Sequence, residues 1–185
     1  MRRLPNADVL AELYLFKAVP RRALVELCSL APPVVYAPGT ALFRQGDPAD
    51  VAVLLVEGRL VASVKVGEVV RQVGDVRPGE LVGETALFQE NGRRSATVVA
   101  PEESSALKLS RYALERAPNN EAVIALERHL LGSLARRVRK TNQAIVSEWR
   151  ATTPLPAPAE PRPDPAVGSR GLWDRLMTLL AGEGE

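Results

Sequence analysis

PGTALFRQGDPADVAVLLVEGRL, residues Pro38 to Leu60, sets short apolar runs between breaks that would end any helix. Ala41-Leu42-Phe43 runs into Gly46-Asp47-Pro48, and Val51 to Val56 runs into Glu57-Gly58. Glycine and aspartate at such breaks allow positive φ and tight reversal, so the runs between them read as strands joined by turns. The same grammar extends in both directions. Val34 to Tyr36 precedes the stretch, and residues 59–66, 69–73, 95–100 and 105–110 follow it, with Gly67, Gly74 and Gly79 at the breaks. Strands so closely spaced leave no room for crossover helices, which excludes a βαβ fold and predicts an antiparallel roll or sandwich.

Both flanks are helical in pattern. Val9, Leu10, Leu13 and Phe16 stand at helix spacing, Pro20 interrupts, and Leu24, Leu27 and Leu30 resume. From Asn119 to about Arg150 the pattern predicts one long helix, with Asn119 or Asn120 as its cap and Glu121 in its first turn. Ile124, Leu131, Leu134, Val138, Thr141 and Ile145 follow a heptad along it. A seam this narrow is expected to meet another helix, its own copy in a homodimer in preference to the β-roll, with Thr141 fixing register. The expected fold is α+β: an antiparallel, jelly-roll-like β-roll with N-terminal helices and a long C-terminal dimerisation helix, over residues 1–150.

Composition supports a globular chain. Of 185 residues, 46% are apolar and 25% charged, which argues against a disordered or membrane protein. No apolar run approaches the roughly 20 residues that a bilayer demands, and the start MRRLPNADVLAELYLF lacks a signal-peptide core, so a cytoplasmic location is expected. Cys28 has no partner for an internal disulfide and sits near Leu27 and Leu30, which suggests a buried structural thiol. The net charge of +2 is too small to point to a partner.

The chemistry concentrates in GETALFQENGRRSATV, residues Gly83 to Val98. The start reads as a short helical turn, whose first N–H groups, at residues 85–87, would lack internal acceptors and attract an anion. Arg94 can give the same anion a planar two-pronged donor, and Ser95 can add a hydroxyl. Glu84 cannot bind an anion and must face a donor, for which a ribose hydroxyl is the candidate. A ligand carrying both hydroxyl and phosphate satisfies the set.

These residues, with the upstream PGTALFRQGDPADVAVLLVEGRL, resemble the cyclic-nucleotide-binding domain, from Leu15 to about Thr141. The resemblance implies that Glu84 accepts the ribose 2′-hydroxyl, that Arg94 neutralises the cyclic phosphate, and that Gly83, Thr85 and Ala86 supply backbone groups. The chain is similar in particular to the effector domain of catabolite-activator-type regulators, whose long helix dimerises and contacts the purine. That likeness assigns base contacts to Thr141 and Asn142, and makes cyclic AMP the expected ligand, with cyclic GMP as the alternative.

Those regulators continue into a winged helix-turn-helix, whereas here the chain turns to proline, so sequence-specific DNA binding is not expected. The cluster Arg136, Arg137, Arg139 and Lys140 reads as the solvated face of the long helix, and His129 as a flank residue without chemistry. A single histidine, no paired carboxylates and no phosphate-binding GxxxxGK loop argue against catalysis, a metal or a cofactor. Residues 151–168, with prolines from Pro154 to Pro165, predict a disordered, semi-rigid linker. Residues 169–185 then predict a short amphipathic helix with Leu172, Trp173, Leu176, Met177 and Leu180 on its apolar stripe. Such a helix is too short to persist alone and is expected to dock, on a partner protein's groove in preference to its own roll or a membrane. The whole reads as a stand-alone receptor that acts by binding; the alternative is a dimeric adaptor whose partner binding ignores nucleotide.

Overall fold

The computed structural model describes residues 4–89 and 91–152; the proline-rich segment after Thr152 and the expected docking helix lie outside them. Helix α1 (Ala7–Glu12) starts at Asn6, whose side chain accepts from the amides of Asp8 and Val9. A 3-10 turn (Tyr14–Phe16) and helix α2 (Arg21–Leu30) follow, the latter opening after Pro20, where a ring without an N–H costs a helix nothing. Among the described residues, eight strands then form two four-stranded antiparallel sheets. One has the order β1 (Pro33–Tyr36), β8 (Ser104–Leu109), β3 (Ala52–Glu57), β6 (Leu81–Val82); the other has β2 (Thr40–Phe43), β7 (Thr97–Ala100), β4 (Leu60–Val66), β5 (Val69–Val76).

β3 explains how the layers stack. Side chains alternate along a strand, so Val53 and Leu55 enter the roll interior beside Phe43, Leu60, Val98 and Ala106, while Ala52, Leu54 and Val56 face the helices. Both faces are covered, and the strand reads as an unbroken apolar run for that reason. The helix-side layer joins Leu10, Phe16, Leu24 and Leu27 to Leu107, Leu109 and the first turns of helix α4 (Glu121–Thr152), through Ala122, Val123, Leu126 and Leu130. Helix α3 (Arg111–Glu115), absent from the sequence expectations, is capped by the Ser110 hydroxyl, which accepts from the Ala113 amide.

Asn120 is the cap of α4. Its Oδ1 accepts from the amides of Ala122 (2.8 Å) and Val123 (3.3 Å), and its amide nitrogen donates to the Glu26 carboxylate (2.6 Å) and the Ala23 carbonyl (3.2 Å). One buried side chain thus both starts α4 and ties it to α2. The heptad expectation needs revising at two positions: Leu134 is half-buried against the helix-side core, and Ile124 is half-buried and lines one cleft with Leu15 and Val19 of the N-terminal segment. α4 also runs through Thr152, two residues into the expected linker. The chain divides into two units at Arg139 and Lys140. In the second, the described residues are the end of α4, and they are exposed as far as Arg150, Thr141 and Asn142 included.

Cys28 is half-buried against the helix-side core, and burial pushes its thiol up. His129 does more than flank the helix: its ring meets Tyr14 edge-on, with centroids 5.2 Å apart, and bonds the phenol oxygen at 3.0 Å. Burial, then Arg136, holds His129 below its ordinary value, against a smaller opposing pull from Glu80. Among the described residues no helix is long and apolar enough to cross a membrane.

Candidate functional site

Gly83 ends the short strand β6 in the left-handed region, at φ 74°, and turns the chain into a 3-10 helix, Glu84–Leu87. The turn is tighter than an α-helix and uses its own amides: Ala86 N–H donates to the Gly83 carbonyl at 3.1 Å, and Phe88 N–H to that of Thr85 at 3.1 Å. The expectation of free amides through residues 85–87 is therefore corrected at Ala86, whose N–H already has an acceptor. Thr85 is exposed, whereas Glu84, Ala86 and Leu87 are buried. From α3, Arg111 Nε donates to the Leu87 carbonyl at 3.0 Å and anchors the end of the turn.

Arg94 arrives from the next loop, whose backbone is laced to the turn before β3. Gly46 N–H donates to the Arg94 carbonyl (2.9 Å), Arg94 N–H to that of Asp47 (2.8 Å), and Ala49 N–H to that of Gly92 (2.9 Å). This Gly-Asp turn, legible in the sequence as a break, thus fixes the backbone that carries the arginine. The Arg94 side chain turns inward and is only 6% exposed. Its Nη1 donates to the Val51 carbonyl at 2.7 Å, its Nη2 lies 3.3 Å from Asp50 Oδ1, and its Cζ stands 3.6 Å above the Phe43 ring centre. Burial pushes this guanidinium below its ordinary value, while Asp50 and then Asp47 pull it back up. Arg93, by contrast, is exposed and donates to the Gly46 carbonyl; Ser95 is exposed as well.

Glu84 faces a donor, as its position in the turn demands, and the donor is Arg137 Nη1 of α4. This corrects the reading of the basic cluster as wholly solvated: Arg137 remains mostly exposed along its length, but its tip pairs with a buried carboxylate. The structure thus brings Gly83, Glu84 and Arg94 together and adds Phe43, Asp50, Val51 and Arg137. The heptad pattern concealed Arg137 among its basic neighbours, and Asp50 was visible only as part of a turn. Thr141 and Asn142 belong to the second unit and are exposed there. A cleft of about 610 Å³ runs beside the turn, lined by Pro48, Asp50, Ala86, Gln89, Arg93 and Arg111 among others, with neither Glu84 nor Arg94 in its walls.

The arrangement is chemically lopsided. Burying a guanidinium costs several kcal/mol unless a well-matched partner offsets it, and the partner here, Asp50, has a side chain 82% exposed at 3.3 Å. A carboxylate so wet contributes on the order of 1 kcal/mol at most. Val51 and the Phe43 ring help, but the buried cation keeps an unspent demand for negative charge.

The profile of the cyclic nucleotide-binding domain family matches residues 33–121, which run from β1 to the first residue of α4 and contain the whole constellation apart from Arg137. Over 180 residues the chain is 31% identical to the acetyltransferase Pat of Mycolicibacterium smegmatis, covering 97% of this chain and 47% of that protein. It is 29% identical over 146 residues to the CRP-like cAMP-activated global transcriptional regulator of Mycobacterium tuberculosis, covering 75% of this chain and 61% of that one. It thus spans about half the length of the first relative and about three fifths of the second. Among solved structures, the N-terminal domain of a transcriptional regulator from Streptomyces coelicolor superposes with a TM-score of 0.55 at 34% identity, over 74% of this chain and 96% of that domain. Roll, turn, buried arginine and these matches agree: the chain belongs to the cyclic nucleotide-binding domain family and is Crp-like.

Proposed function

We propose that the chain is a receptor for a cyclic nucleotide, cyclic AMP in preference to cyclic GMP, and that it acts by binding without catalysis, metal or cofactor. The observation that carries this is the buried Arg94 cation, whose ion pair is with the mostly solvated Asp50 and whose other acidic neighbour, Asp47, is exposed as well. A fold that wanted stability alone would do as well with an apolar residue there; an anionic ester supplies the missing charge. Glu84 takes the ribose hydroxyl, Gly83, Thr85 and Ser95 complete the rim, and Thr141 with Asn142 meets the base. Ala86 N–H, already bonded to Gly83, contributes as the buried foot of the turn. Cyclic AMP is favoured because the tuberculosis regulator is named as cAMP-activated, and a solved relative at 32% identity and TM-score 0.59 as a cAMP-binding acyltransferase.

Arg137 gives the receptor a route of transmission. A ribose hydroxyl that donates to Glu84 shares its carboxylate with Arg137, so ligand and α4 meet at one group, and ligand favours whichever helix arrangement leaves that group better placed for it. Leu131 (66% exposed), Val138 (60%), Ile145 and Trp149 recur along α4 as large apolar side chains in water, and a second copy of the helix is the partner that would cover them. The segment with Leu172, Trp173, Leu176, Met177 and Leu180 engages a partner protein in the cytoplasm. One observation favours the adaptor reading: Glu84 and Arg94 each have a hydrogen-bond partner within the chain, as a scaffold that takes no nucleotide would also need.

Calorimetric titration with cyclic AMP, and with cyclic GMP in parallel, tests the receptor reading. A saturable heat is expected, tighter for cyclic AMP, and no heat from either would remove it in favour of the adaptor. Equilibrium sedimentation tests the helix pairing; a chain that stays monomeric at concentrations far above those of the titration would refute the dimer.

A further inference from the structure

Phe43 closes β2 and is 9% exposed inside the roll, where its fellow buried residues Val53, Leu55, Leu60, Val76 and Val98 are all aliphatic. Aliphatic side chains serve the rest of this interior, yet here a ring lies with the Arg94 guanidinium 3.6 Å above its centre, well inside the ~6 Å reach of a cation–π contact. The approach is built from three elements. A Cβ at Gly83 would stand 2.6 Å from Arg94 Nη1 and 2.9 Å from Phe43 Cε2, so the absence of a side chain there admits both groups. The Val51 carbonyl and Asp50 hold the guanidinium at its two terminal nitrogens, and the ring takes one face. Two edges and a face together define a plane.

We infer that Phe43 is a positioning residue for anion binding: its ring fixes the plane of the Arg94 guanidinium, so that the N–H groups not taken by Val51 and Asp50 meet a phosphate edge-on. The inference rests on the reading that Arg94 receives the phosphate. Two-pronged recognition of a phosphate needs both donors aimed at once, and a guanidinium free to tilt loses that geometry before it loses its charge. The ring also favours the cation in a place where burial opposes it. Asp50 cannot do this alone, because a largely solvated carboxylate constrains position weakly.

The test compares wild type, Phe43→Leu and Phe43→Tyr by calorimetric titration with cyclic AMP and by thermal melting, and reads the Arg94 Hε resonance by NMR. Phe43→Leu should bind about tenfold more weakly, the scale of a desolvated cation–π contact, while melting within a few degrees of wild type. Phe43→Tyr, which keeps the ring, should return to within about threefold. In an Arg94→Lys background the same Phe43→Leu change should cost less, because an ammonium has no plane to fix. The Hε resonance should carry a ring-current shift in wild type and in Phe43→Tyr but not in Phe43→Leu. Wild-type affinity in Phe43→Leu would overturn the inference and leave the receptor reading standing; a wild type that binds no nucleotide would remove both. Should Phe43→Leu fail to fold, a wild-type Arg94 Hε without a ring-current shift would be enough to reject the stack.

Discussion

Arg94→Leu should lose cyclic AMP binding by about a hundredfold or more, which is the size expected when two charge-assisted hydrogen bonds of ~1.5–3 kcal/mol each disappear together. The fold should survive the change. Leucine removes a buried charge and its desolvation cost, while it leaves the Val51 carbonyl without the donor now at 2.7 Å. A half-buried carbonyl that loses its partner costs at most ~1–3 kcal/mol, and the apolar contact that leucine makes with Phe43 offsets part of that. A melting midpoint within several degrees of wild type, with the binding heat gone, is the expected pair of results. Equal heats from wild type and variant would show that the nucleotide, if it binds, does so elsewhere.

Gly83→Ala should damage both stability and binding through a single methyl group. At φ 74° any residue with a Cβ is strained, by about 1 kcal/mol or more. The methyl would also stand 2.6 Å from Arg94 Nη1 and 2.9 Å from the Phe43 ring, neither of which has an easy retreat: the guanidinium is tied to Val51 and the ring is packed in the roll. We expect a loss of ~2–3 kcal/mol of stability, read as a fall of roughly 4–12 °C in the melting midpoint for a chain of this size. Nucleotide affinity should fall at least tenfold as Arg94 is displaced. Gly74→Ala is the control, since that glycine has ordinary φ and nothing within 4 Å of its added Cβ. If the two variants melt and bind alike, Gly83 has no part in positioning the arginine.

Much of the fold was written in local pattern. The apolar runs cut by glycine and aspartate identified every strand except β6, and β6 escaped because two residues cannot show a period. The break at Pro20 and the cap at Asn120 were legible for a related reason: both act on backbone groups a few residues away. α3, at five residues, is too short to carry an amphipathic signal, and it appears only because Ser110 caps it and Arg111 reaches the turn.

The sequence by itself determined where the glycine-led turn lies and that Arg94 stands just before a strand, because both are short-range features of the chain. Only the tertiary structure decided what those residues touch. Arg94 finds Phe43 and Asp50 across about fifty residues of chain, and Glu84 finds Arg137 at a separation of 53. Such pairings depend on how two sheets and a helix close over one another, a long-range consequence of apolar burial that no local spacing encodes. The same holds for α4, where one periodic stripe looked like a single seam: Ile124 and Leu134 are half-buried, Leu134 against the helix-side core, while Leu131 between them and Val138 are left in water.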